Sequence, residues 1–224
     1  PVATTDVVIA PAPVEVEVEP EPEPVIEAPD VPVVELPTLN NSDQFVFNGL
    51  QNFSNAAALV PLLASEQLVR KLVVFVDNIS RGEFPQTGLP YLNMEQEMQV
   101  RTIDENLFEM DEVGYSRFDL VTDIFVAIDT DQAMSFYRIL SPLFQQAYAE
   151  IGFRDVNFDD TLRRAITNVL STADVEGPFQ LVKPSVMYLY ADASIENLQE
   201  VHKQLIRIGP ENTEKLKAKL RQIL

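Results

Sequence analysis

The chain has 224 residues, 46% of them hydrophobic, a net charge of −19 and no cysteine. Its length allows one medium domain plus a tail, and the missing cysteines exclude disulfides and thiolate metal ligands. So large an acidic excess argues against a protein built to bind nucleic acid along its whole surface.

The first forty residues hold nine acidic residues and no Lys or Arg, leaving −10 for residues 41–224, and prolines cluster there. The stretch "PAPVEVEVEPEPEPVIEAPDVPVVELP" (11–37) alternates Val and Glu with strand period. Its prolines lack backbone donors, its charges repel and it has no aromatic group to bury, so it is predicted to be an extended, disordered linker. At about 3.1 Å per residue in polyproline-II form, residues 1–36 reach on the order of 100 Å. With no initiator methionine at Pro1, a Pro/Glu spacer fits a domain held away from an N-terminal membrane anchor. The predicted domains are therefore a 1–36 linker and a 37–224 α-helical globular domain.

From Ser42, a predicted N-cap followed by Asp43, the pattern turns helical. A helix over 43–53 is predicted to bury Phe45, Val46, Leu50 and Phe53. A short helix over 56–63 leads to Ser65, a second predicted cap. Leu68, Leu72, Phe75, Val76 and Ile79 then form the stripe of a helix over 66–80. Gly82 ends that helix, and Pro85, Gly88 and Pro90 mark a loop. "MQVRTI" and "LFEM", separated by "DEN", predict a small β-hairpin over 97–110.

Phe118, Val121, Phe125 and Ile128 give the next helical stripe (116–128). Met134, Tyr137, Leu140, Phe144 and Tyr148 mark a helix over 131–149, with a kink or break expected at Pro142. Leu162, Ile166, Val169 and Leu170 face inward on a helix over 159–171. "FQLVKPSVMYLY" (179–190) is extended and broken by Pro184. Ser194 is predicted to cap a helix carrying Ile195, Leu198, Val201, Leu205 and Ile208, and a last helix over 211–223 carries Leu216, Leu220 and Ile223. The sum is a mainly α single domain with a small β-hairpin.

No nucleotide-loop, nucleophile-elbow or zincin motif occurs. His202 is the sole histidine, so any His-paired triad depends on it alone, and no second histidine or cysteine exists to complete a metal shell around it. Asp119 and Asp123 share a helix face beside Arg117, which permits an acid/base or Mg²⁺ site but equally a polar surface. Asp129 and Asp131 lack the glycine and distal glutamate of a calcium loop. "RIGPENTEKL" (207–216) can be laid over a helix-hairpin-helix phosphate grip through Ile208, Gly209, Pro210 and Leu216. Arg207 stands where that motif has glycine, and Glu211 puts a negative charge at the helix N-terminus where phosphate is to sit. Residues 195–224 hold six basic against four acidic residues, too thin an excess for counterion-driven binding. The same residues read fully as a corner: Gly209 in the left-handed conformation, Pro210 at the first helical position and lysines towards the C-terminus.

Four stretches, "LPTLNNSD" (36–43), "SRFD" (116–119), "AYAEIGF" (147–153) and "YLYADASIENLQEVHKQLIRIGPEN" (188–212), together resemble the bacterial family called domain of unknown function 3014. The family pattern has Arg-Tyr-Asp where Arg117-Phe118-Asp119 stand, Gln-Lys where His202-Lys203 stand, and Met at Ile208. The resemblance implies a proteobacterial protein with an N-terminal membrane-spanning segment, a Pro-rich linker and a domain on the envelope (periplasmic) side of the inner membrane of a Gram-negative cell. It implies no activity.

The resulting expectation is a membrane-tethered envelope module that binds an unidentified protein or envelope component and is not an enzyme. The alternatives are a hydrolase-like enzyme using the acidic residues of the 116–128 helix, and a weak nucleic-acid binder through 204–220. No catalytic, cofactor-binding or metal-ligating residue is assigned and no cofactor is expected. The candidate interaction or polar residues are Arg117, Asp119, Asp123, Tyr188, Tyr190, His202, Arg207 and Asn212.

Overall fold

A computed structural model of the chain describes residues 35–53, 63, 66–85, 98–174 and 177–224. All belong to the second of the two units into which the chain divides, Val34–Leu224. The expectations for the linker up to residue 34, for most of the 56–63 helix, and for Ser65, Gly88 and Pro90 lie outside the described residues.

The described residues form a mainly α fold with a small antiparallel sheet. A 3-10 turn (Leu39–Asn41) leads into α1 (Asp43–Gln51), and α2 spans Leu68–Ser80. After β1 (Val100–Asp104) and β2 (Leu107–Met110), a 3-10 helix (Glu112–Phe118) runs into α3 (Asp119–Ala127). Next come α4 (Thr130–Glu150), α5 (Phe158–Leu170), β3 (Gln180–Val182), β4 (Leu189–Tyr190), α6 (Ala193–Glu196), α7 (Glu200–Ile208) and α8 (Pro210–Arg221).

The predicted stripes on α2, α4 and α5 meet largely in one core, where Val73, Val76, Leu140, Phe144, Tyr148, Phe158, Ala165 and Val169 are buried; on α2, Val73 takes the inward place expected of Leu72, which is 43% exposed. Within it Tyr148 links three helices: its hydroxyl lies 3.2 Å from Asp77 Oδ1 and accepts from Thr161 Oγ1 at 3.1 Å. Arg81 closes the charge on Asp77 at 2.9 Å. A buried carboxylate needs such partners, because losing its hydration without them is costly. On the surface, Arg70 holds Glu150 with two nitrogens, at 2.7 and 3.0 Å, and reaches Asn40 at 2.8 Å. That fork fastens the N-terminal turn to α2 and α4.

Several local expectations are corrected. Helix α4 runs through Pro142 without a break; the proline is on the exposed face, so its ring and lost donor meet solvent rather than the core. The single helix expected after Ser194 is two. Asp192, not Ser194, caps α6, accepting from the Ser194 amide at 2.8 Å and its hydroxyl at 2.7 Å. The chain then turns at 197–199 and restarts as α7, whose Val201 amide bonds to Gly82 O. The hairpin is half of the sheet: β3 pairs with β2, and β4 with β3, giving the order β1-β2-β3-β4. The stretch around Pro184 is therefore the turn of a second hairpin.

Asp43 does more than favour its own helix dipole. Its two carboxylate oxygens accept the amides of Gln67 at 2.7 Å and Leu68 at 2.8 Å, capping α2 from 24 residues upstream. Gln67 at the start of α2 has φ +57° and gives no side-chain cap of its own. We predict that Asp43→Ala lowers stability in urea unfolding by about 1–2 kcal/mol and that Asp43→Asn recovers only part of it, since its single carbonyl oxygen serves one orphan amide while its NH2 faces the other. Equal stability of the alanine variant and the parent contradicts the long-range cap.

Candidate functional site

The site is built on α7, whose two faces enter different cores. Val201, Leu205 and Ile208 belong to the helical core, whereas Ile206 packs with Met110, Phe179, Leu181 and Tyr190 behind the sheet. At its end the chain passes through Gly209 and restarts at once as α8. Gly209 has φ +87° and ψ 160°, a positive-φ extended conformation and not the left-handed helical one expected, and essentially only glycine adopts it. A Cβ there would lie 2.6 Å from Tyr115 Cγ. Tyr115 can thus lie flat against the corner only because residue 209 has no side chain.

Asn212, 2% exposed, pins this corner. Its amide nitrogen donates to Asp119 Oδ1 at 2.8 Å, to Ile208 O at 3.0 Å, and lies 3.4 Å from Tyr115 O. Arg207 lies over the Tyr190 ring at 5.7 Å, and Arg117 over the Phe118 ring at 4.7 Å. Burial, together with the positive charge of Arg207, lowers the pKa of the Arg117 guanidinium. Burial pushes the Tyr190 hydroxyl up to about 12, and that of Tyr115 also upward, so both remain hydrogen-bond donors in neutral solution. Arg117, Asp119, Tyr190, Arg207 and Asn212 are therefore drawn together around Tyr115.

The other candidates lie apart from this group. Asp123 is on the surface, paired with Lys215 at 3.1 Å. Tyr188 stacks edge-on against Phe108 at 5.1 Å, with the Lys183 ammonium 4.8 Å from its ring. His202 is half-buried, its Nε2 lying 3.1 Å from both the carbonyl and the side-chain oxygen of Asn168.

Sequence reasoning missed the latch beneath the corner. Glu196 accepts the Tyr190 amide through Oε2 at 2.8 Å and Lys203 Nζ through Oε1 at 3.1 Å. Lys203, itself buried, also meets Glu200 at 2.6 Å. Only the i, i+3 spacing of Glu200 and Lys203 was readable in advance. Two lysines counted as outward charge are also buried. Lys217 donates to Thr172 O at 2.9 Å and Asp174 at 2.8 Å, and Lys219 donates to Ile128 O.

Two concave features stand out. One is an open polar depression of about 450 Å³ lined by Ile128, Asp129, Thr130, Asp131, Lys219 and Gln222. The other, of about 240 Å³, lies between the end of α5, α7 and the first turn of α8. Neither is lined by Arg117, Asp119 or Asp123. Among the described residues no group of three His, Asp or Glu side chains is placed to hold a metal ion, and no helix is long and apolar enough to cross a membrane. The polar groups of the corner are engaged internally: the Tyr190 hydroxyl, on a residue 4% exposed, donates to Lys203 O at 3.5 Å, and Asn212 bonds Asp119 and Ile208.

Residues 68–224 match the family described as "Protein of unknown function (DUF3014)", and the chain belongs to that family. No curated protein and no solved structure gave a match.

The latch generates a pH prediction. Burial raises the pKa of Glu196, but the Tyr190 amide and Lys203 outweigh it, so the net value is below the ordinary 4.5. A carboxylate depressed in the folded state contributes stability above pH 4.5 that is lost as pH falls through its lower folded value. Urea unfolding from pH 6 to pH 2 is expected to show a shallower acid loss for Glu196→Gln than for the parent; identical pH slopes contradict the latch.

Proposed function

We propose that this member of the family is a non-enzymatic binding module, tethered by residues 1–36 to the periplasmic side of the inner membrane, that engages a protein or another envelope component. The observation that carries the reading is how the candidate polar groups are used. Asp119 is bonded to Asn212, Asp123 to Lys215 and His202 to Asn168. A general acid or base has to reach substrate from a shared cleft, and these groups hold the corner and the helix packing instead.

The acidic, Pro-rich composition of residues 1–36 supports the spacer, since such a composition offers little apolar surface to bury. The rival hydrolase needs Arg117, Asp119 and Asp123 to converge on one concavity, and they do not line either of those described. The nucleic-acid alternative loses two of its cations, because Lys217 and Lys219 are buried in internal bonds. It also has Glu211 exposed beside the α8 N-terminus, ion-paired with Lys215 at 3.0 Å.

Fractionation of cells expressing the tagged full-length protein tests the tether. It is expected in the inner-membrane fraction, with residues 37–224 degraded by protease added to spheroplasts. Recovery in the soluble cytoplasmic fraction, or protection from that protease, overturns it.

A further inference from the structure

The smaller of the two concavities lies on the side of the α7–α8 corner formed by Pro210 and Thr213. Phe179, Leu205, Ile206 and Pro210 form its apolar wall, and Thr172, Ala173, Asp174, Thr213 and Glu214 complete it. Phe179, Leu205 and Ile206 are themselves almost fully buried, so the wall is firm. Its volume, about 240 Å³, is below the range of roughly 300–1,000 Å³ usual for whole small-molecule sites. That size suits a single aliphatic side chain.

Two polar features distinguish it from a packing defect. Thr172 is 6% exposed, and its Oγ1 is buried without a hydrogen-bond partner, a state that costs free energy unless something completes it. The charge at the mouth is also one-sided. The Asp174 and Glu214 side chains are 83% and 57% exposed, while the Lys217 side chain, whose ammonium lies 2.8 and 3.6 Å from them, is 4% exposed. The carboxylates therefore face solvent and their cation faces inward. Arg221 adds only a weak attraction on Asp174. With −10 on residues 41–224, the surrounding field also favours a positive visitor.

We infer that this pocket docks a basic peptide segment of a partner protein, inserting one Leu-sized side chain against Phe179, Leu205 and Ile206 while an adjacent Lys or Arg meets Asp174 and Glu214. The backbone amide beside the inserted residue supplies the missing partner of the Thr172 hydroxyl. A buried aliphatic anchor with a charged rim is the usual division between affinity and specificity at such contacts. The inference rests on the binding-module reading and names its partner's chemistry.

The probes are four capped dipeptides, acetyl-Leu-Lys-amide, acetyl-Leu-Glu-amide, acetyl-Ala-Lys-amide and acetyl-Ala-Glu-amide. Each is titrated into the intact 224-residue chain while the methyl resonances of Leu205, Ile206, Thr172 and Thr213 are followed by NMR. Leu-Lys is expected to shift these four. Leu-Glu and Ala-Lys are expected to bind roughly tenfold more weakly, through lost charge pairing and lost apolar burial respectively. Ala173→Phe, a substitution at an exposed position that fills the mouth, is expected to abolish the response while the remaining methyl spectrum stays that of the folded parent. Absence of any shift, equal shifts with all four probes, or a response that survives Ala173→Phe overturns the pocket. Should that happen while the full-length protein still fractionates with the inner membrane, the tethered-module reading stands and only the pocket falls.

Discussion

The contact between Gly209 and the Tyr115 ring sets the arrangement of the C-terminal half. Helix α7 is a shared wall, with Val201, Leu205 and Ile208 in the helical core and Ile206 in the cluster behind the sheet. A helix with apolar residues on two faces has little freedom to rotate, so its end must be fixed in both position and direction. Gly209 supplies the direction through a backbone conformation closed to other residues. Asn212 supplies the position by tying α8 to Ile208, Tyr115 and Asp119. Through those bonds the 3-10 helix and α3 are fastened to the same corner that joins the two cores.

Around that corner, charged side chains are used inwardly to an unusual degree. Lys203, Lys217 and Lys219 are buried, as is Asp77 in the helical core. Long aliphatic stems cover apolar surface while the ammonium groups find carbonyls or carboxylates. Each such pair pays for its desolvation only through good geometry, so these bonds specify the fold more than they stabilise it. The consequence for function is a sign. Cations taken inward leave a more acidic exterior. The corner that can be laid over a phosphate grip is held as a structural joint, with Asn212 tied to Asp119 and Ile208.

The regular parts of this architecture could be read directly from periodicity. Val76 and Ile79, Leu140 and Phe144, and Ile166 and Val169 sit where helical spacing puts them, because local pattern and core burial agree there. The first hairpin was equally legible from its alternation. What could not be read depends on partners far apart in the chain. The cap of α2 comes from Asp43, 24 positions earlier, and Lys217 finds Thr172 and Asp174 more than 40 positions back. The break at 197–199 was hidden because apolar spacing continues across it from Ile195 to Val201, while Asp192 competes successfully for the cap. The second hairpin was masked by Pro184, which a turn accommodates and a strand does not. In the candidate site, Arg207 was visible as a departure from a corner motif, whereas Tyr115 and Glu196 carried no local signal and Lys203 only its spacing from Glu200.

The most direct test of the central claim is Gly209→Ala, read by urea unfolding together with amide hydrogen exchange at Val201 and Leu205 and, separately, at Leu181 and Tyr190. If Gly209 fixes the shared wall, alanine costs at least about 2 kcal/mol through backbone strain and the Tyr115 clash, and protection falls in both cores together. Parental stability, or protection lost in one core and kept in the other, would contradict it.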